Sequence, residues 1–127
     1  TSSLASTRKL HLLLVEDNTE LRDVLERHLV DAGYQVSTVP NGDAALARLS
    51  DGLRPDILIT DLVMPGLTQG RALAGFLKDF DDAIQVIFIT GYCEGSTDST
   101  YGEEGTVILR KPISRVDLLE AVHNATA

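Results

Sequence analysis

A chain of 127 residues, 43% hydrophobic and 24% charged, has the size of one globular domain and is expected to bury about two-thirds of its unfolded surface. Its 11 Lys and Arg against 19 Asp and Glu leave a formal charge of −8, which excludes the basic footprint that direct binding to nucleic acid needs. The single cysteine, Cys93, excludes an internal disulfide, and no apolar run approaches the ~20 residues that span a bilayer, so a cytoplasmic protein without direct membrane contact is expected.

In chain order, residues 1–9 (TSSLASTRK) are polar and read as a linker or tail, with the domain itself at 10–127. LHLLLV (10–15) is apolar at nearly every position, the pattern of a strand covered on both faces. NTELRDVLERHLVDAG follows as an amphipathic helix of about four turns. Leu21, Val24, Leu25 and Leu29 form its apolar face, Asn18 caps its start and Gly33 closes its end. YQVSTV (34–39) mixes polar and apolar residues and is expected at a sheet edge, and NGDAALARLSDG gathers Ala45, Leu46 and Leu49 on a second helix.

DILIT (56–60) is a third strand, and LTQGRALAGFLKDF a helix that buries Leu73, Leu77 and Phe80 despite two glycines at about 1 kcal/mol each. QVIFIT (85–90) and TVILR (106–110) are further covered strands. Between them GYCEGSTDSTYGEEG (91–105), with four glycines and almost no apolar face, predicts a short or weak fourth helix. SRVDLLEAVHNA closes the chain as a helix with Ser114 and Asp117 in capping-box spacing and Leu118, Leu119 and Val122 inward. Strands alternating with helices predict an α/β three-layer sandwich with a parallel sheet, its functional groups gathered at the carboxyl ends of the strands.

Those ends carry an unusual set. Glu16 and Asp17 follow the first strand, Asp61 ends the third, Thr90 the fourth, and Lys111 follows the fifth. Carboxylates sharing one crevice repel one another unless a cation offsets them, and an oxygen-only acidic set suits Mg²⁺. A carboxylate nucleophile among such charges suits acceptance of a phosphoryl group. Each residue alone has a blander reading: Glu16 or Asp17 as a helix-start acid, Thr90 as a plain strand end. The three histidines, His11, His28 and His123, lack metal-ligand spacing and read as surface or strand residues, and Arg110 as a solvated charge on the side opposite Lys111. Cys93 reads as an incidental thiol, since no second cysteine exists to resolve it.

The segments LLLVEDN, ITDLVMPG, FITG and LRKPIS, in this order and spacing, resemble the receiver domain of bacterial two-component response regulators over residues 10 to about 125. The resemblance implies a flavodoxin-like fold with strand order 2-1-3-4-5. It implies that Asp61 is the phospho-acceptor, charged from a phosphohistidine on a histidine kinase or a histidine phosphotransfer protein. Asp17, Asp61 and the backbone carbonyl of Val63 would hold Mg²⁺, with Glu16 acting through a water. Lys111 would bind a phosphoryl oxygen, Pro112 would sit behind a cis peptide that aims the lysine, and Thr90 would be the switch residue. Such a domain is no enzyme beyond catalysing its own phosphorylation and slow dephosphorylation, and works as a monomer or weak dimer. The chain further resembles a receiver from the carboxyl terminus of a hybrid sensor histidine kinase, with a stand-alone regulator as the alternative.

Departures from the family pattern carry expectations of their own. Ile108 stands three residues before Lys111, where such domains often have an aromatic side chain that relays the state of the threonine. Output is therefore expected through ordering of residues 91–105, and amide exchange there that is unaltered by beryllofluoride would exclude it. Val63 and Tyr92, two residues past Asp61 and Thr90, offer no carboxamide or carboxylate to orient an attacking water, which predicts a long-lived phosphoryl group partly shielded by Tyr92. Three rivals are a receiver that binds partners without phosphorylation, an aspartyl-nucleophile phosphatase and a flavin or nucleotide binder. The phosphatase wants a second acid where Val63 stands, and EDNTE lacks the glycines of a phosphate-cradling loop.

Overall fold

A computed structural model describes residues 10–61, 70–80, 84–90, 106–110 and 113–126. Five strands, β1 (His11–Val15), β2 (Gln35–Val39), β3 (Ile57–Asp61), β4 (Gln85–Thr90) and β5 (Thr106–Arg110), form one sheet in the order β2-β1-β3-β4-β5. Every pairing is parallel. Among the described residues four helices accompany them: α1 (Thr19–Asp31), α2 (Gly42–Ser50), α3 (Gly70–Phe80) and α4 (Arg115–Thr126). The expected weak helix at 91–105 and the tail at 1–9 lie outside the described residues.

Side-chain alternation along the strands divides the core in two. Leu13, Val15, Leu58, Val86 and Phe88 turn to one face and pack with Ala45 and Leu49 of α2 and Leu73 and Leu77 of α3. Leu12, Leu14, Ile57, Ile59, Ile87 and Ile89 turn to the other, against Leu25 and Leu29 of α1 and Leu118 and Val122 of α4. Both faces being covered explains why β1, β3 and β4 are apolar almost throughout, whereas the edge strand β2 keeps partly exposed Ser37 and Thr38.

The helix boundaries follow from side-chain and backbone chemistry. Asn18 Oδ1 accepts from the Leu21 amide at 2.9 Å and Asn41 Oδ1 from the Ala44 amide at 2.8 Å, satisfying donors that a helix start leaves unpaired. Gly33 and Gly52 follow α1 and α2 at φ of +102° and +111°, a region that a Cβ disfavours. Ser114 Oγ accepts from the Asp117 amide at 3.0 Å before α4.

Three expectations need correction. Val24 is 48% exposed, because the inward stripe of α1 runs through the partly buried Leu21 and the buried Leu25 and Leu29 at four-residue intervals and Val24 lies about 100° away from Leu25. Gly70 is the first residue of α3, where helix propensity matters little, leaving Gly75 as the interior glycine. β1, β2 and β3 each start one residue later than the apolar runs predict, and β3 includes Asp61 itself. His11 has a structural role: its Nε2 lies 2.8 Å from Ser37 Oγ, and its backbone N–H donates to Asp56 Oδ2 at 2.9 Å, stitching the amino-terminal end of the sheet.

Candidate functional site

The sheet order reverses between β1 and β3: the chain leaves β1 for β2 on one side and returns to β3 on the other. Open parallel sheets place ligands outside the carboxyl ends of the strands at such a switch point. Val15 is in register with Thr60, so Glu16, the next residue of one chain segment, arrives level with Asp61, the next residue of the other. One carboxylate oxygen each from Glu16, Asp17 and Asp61 lie within 4.8 Å of one another.

Burial makes this arrangement demanding. Glu16 is 0% and Asp61 4% exposed, while Asp17 is exposed. Three acids so close, two of them shielded from water, repel strongly unless a cation shares the space. The donor set is all oxygen, and one acid reaches solvent, leaving a side from which a partly hydrated ion or a phosphoryl oxygen can approach. That chemistry fits Mg²⁺, a hard ion that keeps several waters and takes one or two carboxylates.

Local hydrogen bonds set the loop between β1 and α1. The Glu16 amide donates to Val39 O at 3.2 Å, extending the register of β1 with β2 by one residue. Glu16 Oε2 accepts from the Asn18 amide at 3.0 Å, and Glu16 O accepts from Arg22 Nη1 at 2.9 Å. Asn18 thus caps α1 with its side chain and restrains Glu16 with its backbone. The arginine contact is one that residue spacing did not reveal; the available signal was a cation at the start of a helix, where the macrodipole disfavours it.

Thr90 ends β4, one residue beyond the Asp61 and Ile89 pair, and is partly buried. It stands opposite Arg110, the exposed last residue of β5. Ile108 pairs with Phe88 and packs, partly buried, on the core face beneath α2 and α3. Lys111 follows Arg110 in sequence, and it lies with Val63, Tyr92, Cys93 and Pro112 outside the described residues.

Comparison with known proteins places these features in a family. The model described as "Response regulator receiver domain" matches residues 12–123. The response regulator receiver protein CpdR of Brucella abortus is 32% identical over 113 residues, an alignment covering 87% of this chain and 92% of CpdR. The transcription factor SKN7 of Candida albicans is also 32% identical, over 87% of this chain, but the match spans only 20% of SKN7. Among solved structures, a response regulator receiver protein from Sinorhizobium medicae superimposes with a TM-score of 0.82 at 25% identity, covering 93% of this chain and 94% of that one. The receiver domain of the hybrid histidine kinase CckA superimposes at 0.77 with 31% identity, covering 92% and 99%.

Proposed function

Because the chain belongs to the response regulator receiver domain family, we propose that it is a phospho-accepting switch of a two-component phosphorelay, in which Asp61 takes a phosphoryl group from a phosphohistidine. The observation that carries this reading is the meeting of Glu16, Asp17 and Asp61 within 4.8 Å at the ends of β1 and β3. Asp17 and Asp61, with the backbone carbonyl of Val63, are the proposed direct holders of Mg²⁺, and Glu16 acts through a water. When bound, Mg²⁺ offsets the charge of the acids and of the phosphoryl oxygens that approach them.

An ionised Asp61 needs no general base: a carboxylate oxygen forms the bond to phosphorus as the bond from phosphorus to the imidazole nitrogen breaks, and the imidazole leaves. The reaction is mostly a matter of positioning and electrostatic stabilisation. Lys111 binds a phosphoryl oxygen, and the Thr90 hydroxyl donates to another, drawing the chain after β4 with it. The partner that supplies phosphate is a histidine kinase or a histidine phosphotransfer protein, the setting is cytoplasmic, and the domain acts as a monomer or weak dimer. The likeness to the CckA receiver supports an origin in a hybrid kinase, and the likeness to CpdR supports a stand-alone regulator. Among the described residues no helix is long and apolar enough to cross a membrane.

Acetyl phosphate tests the reading directly. The protein is expected to gain one phosphoryl mass in Mg²⁺ and none in EDTA; no gain at saturating Mg²⁺ would leave the receiver that binds partners without phosphorylation. Dephosphorylation offers a further check. Val63→Asn places a carboxamide where it can orient an attacking water, and is expected to shorten the phosphoryl lifetime several-fold; an unchanged lifetime would remove the role assigned to Val63.

A further inference from the structure

Arg22 is the fourth residue of α1 and half-buried. A cation there opposes the helix macrodipole, whose positive end lies at the first turn, while the acid beside it at Glu20 follows the usual preference. Its guanidinium is committed across the turn instead: Nη1 donates to the backbone carbonyl of Glu16, six residues back, at 2.9 Å. Glu16 is fully buried and lies just past the last residue of β1. Its amide is held by Val39 O and its Oε2 by the Asn18 amide. The arginine therefore completes a three-point restraint on the residue from which the loop carrying Asp17 departs.

We propose that Arg22 is a positioning residue for the cation site: by tethering the Glu16 carbonyl, it fixes the loop in the arrangement that presents Glu16 and Asp17 to Asp61. The inference rests on the magnesium reading above and goes beyond it by adding a residue that touches neither ion nor phosphate. Asp17 is solvent-exposed, so no surrounding core holds it in place. Its direction depends on the two peptides before it, one of which carries the tethered carbonyl. Groups that orient metal ligands without touching the metal typically change affinity by 10–100-fold when removed.

The electrostatic alternative has the opposite sign. If Arg22 acted only as a nearby positive charge, its removal would make the acidic cluster more attractive to Mg²⁺ and affinity would rise. A purely structural role would lower the unfolding temperature in EDTA and leave the affinity of the folded protein unchanged.

Calorimetric titration with Mg²⁺, paired with thermal unfolding in EDTA, separates these cases. Arg22→Met keeps the aliphatic stem and helix propensity but loses every donor, and is expected to weaken Mg²⁺ binding about tenfold. Arg22→Lys, which keeps the charge and an ammonium donor group, is expected to recover part of that loss. Unchanged or tighter binding by folded Arg22→Met would overturn the proposal. Should Arg22→Met not fold, Arg22→Gln, polar but too short to reach the carbonyl, takes its place with the same expected loss. A wild-type protein that takes up no Mg²⁺ would sink the magnesium reading itself, whereas wild-type binding matched by the variants sinks only the role of Arg22.

Discussion

Asp61→Asn is expected to abolish phosphorylation by acetyl phosphate completely while leaving the protein folded. The substitution keeps the shape of the side chain and removes the anionic oxygen that forms the bond to phosphorus, so no slower version of the same step survives. It also removes one of three acids within 4.8 Å, at a position only 4% exposed. In metal-free buffer the variant should therefore be more stable than wild type, on the order of 1 kcal/mol, the scale on which groups sharing a site couple. Adding Mg²⁺ reverses the comparison. A ligand at 100 times its Kd stabilises the folded state by about 2.7 kcal/mol, and the variant, lacking a proposed holder of the ion, should show much less of that gain. Thermal unfolding with and without Mg²⁺ and intact-protein mass spectrometry read these outcomes together. A variant that still acquires the phosphoryl group would show that another residue accepts it.

The largest loss of stability is expected from Ile59→Ala. Ile59 lies in the middle strand of the sheet, fully buried, in register with Leu14 on one side and Ile87 on the other. Truncation removes most of a buried side chain and leaves a cavity in the layer beneath α1 and α4, a change that typically costs about 2–5 kcal/mol. Against a total stability of roughly 5–15 kcal/mol for a domain, that is a large fraction. The position is also two residues before Asp61, so loosening it disturbs the strand that carries the acceptor. Urea unfolding should show the lowered midpoint, with Val24→Ala as an internal comparison: at 48% exposure its change should stay within about 0.5 kcal/mol. A loss below about 1 kcal/mol at Ile59 would mean that the sheet repacks more readily than two covered faces allow.

The two substitutions separate the roles of the strands. Ile59 and its neighbours make the sheet; Asp61, at the end of the same strand, uses it. Burial of an acid on a rigid strand end holds the carboxylate where a flexible loop would not, and the closeness of the other two acids suits that end to a cation.

Among the described residues, sequence alone determined which segments are strands and helices, because burial on both faces of a parallel sheet demands apolar runs such as ILIT, and an amphipathic helix shows its four-residue stripe at Leu21, Leu25 and Leu29. It also named the acids, since Glu16, Asp17 and Asp61 stand where apolar runs stop. It misplaced Val24, because a single valine beside a true stripe is apolar whether or not it is covered, and only packing against α4 and the sheet settles which arc of α1 is inside. The gathering of these acids at one edge of the sheet was expected from the strand pattern; tertiary structure supplied the register that sets the end of β1 level with the end of β3 and brings residues separated by more than 40 positions in the chain within a few ångströms. It likewise decided that Arg22 reaches back to the Glu16 carbonyl, a contact set by helix entry geometry and backbone position, neither of which leaves a periodic mark in the order of residues.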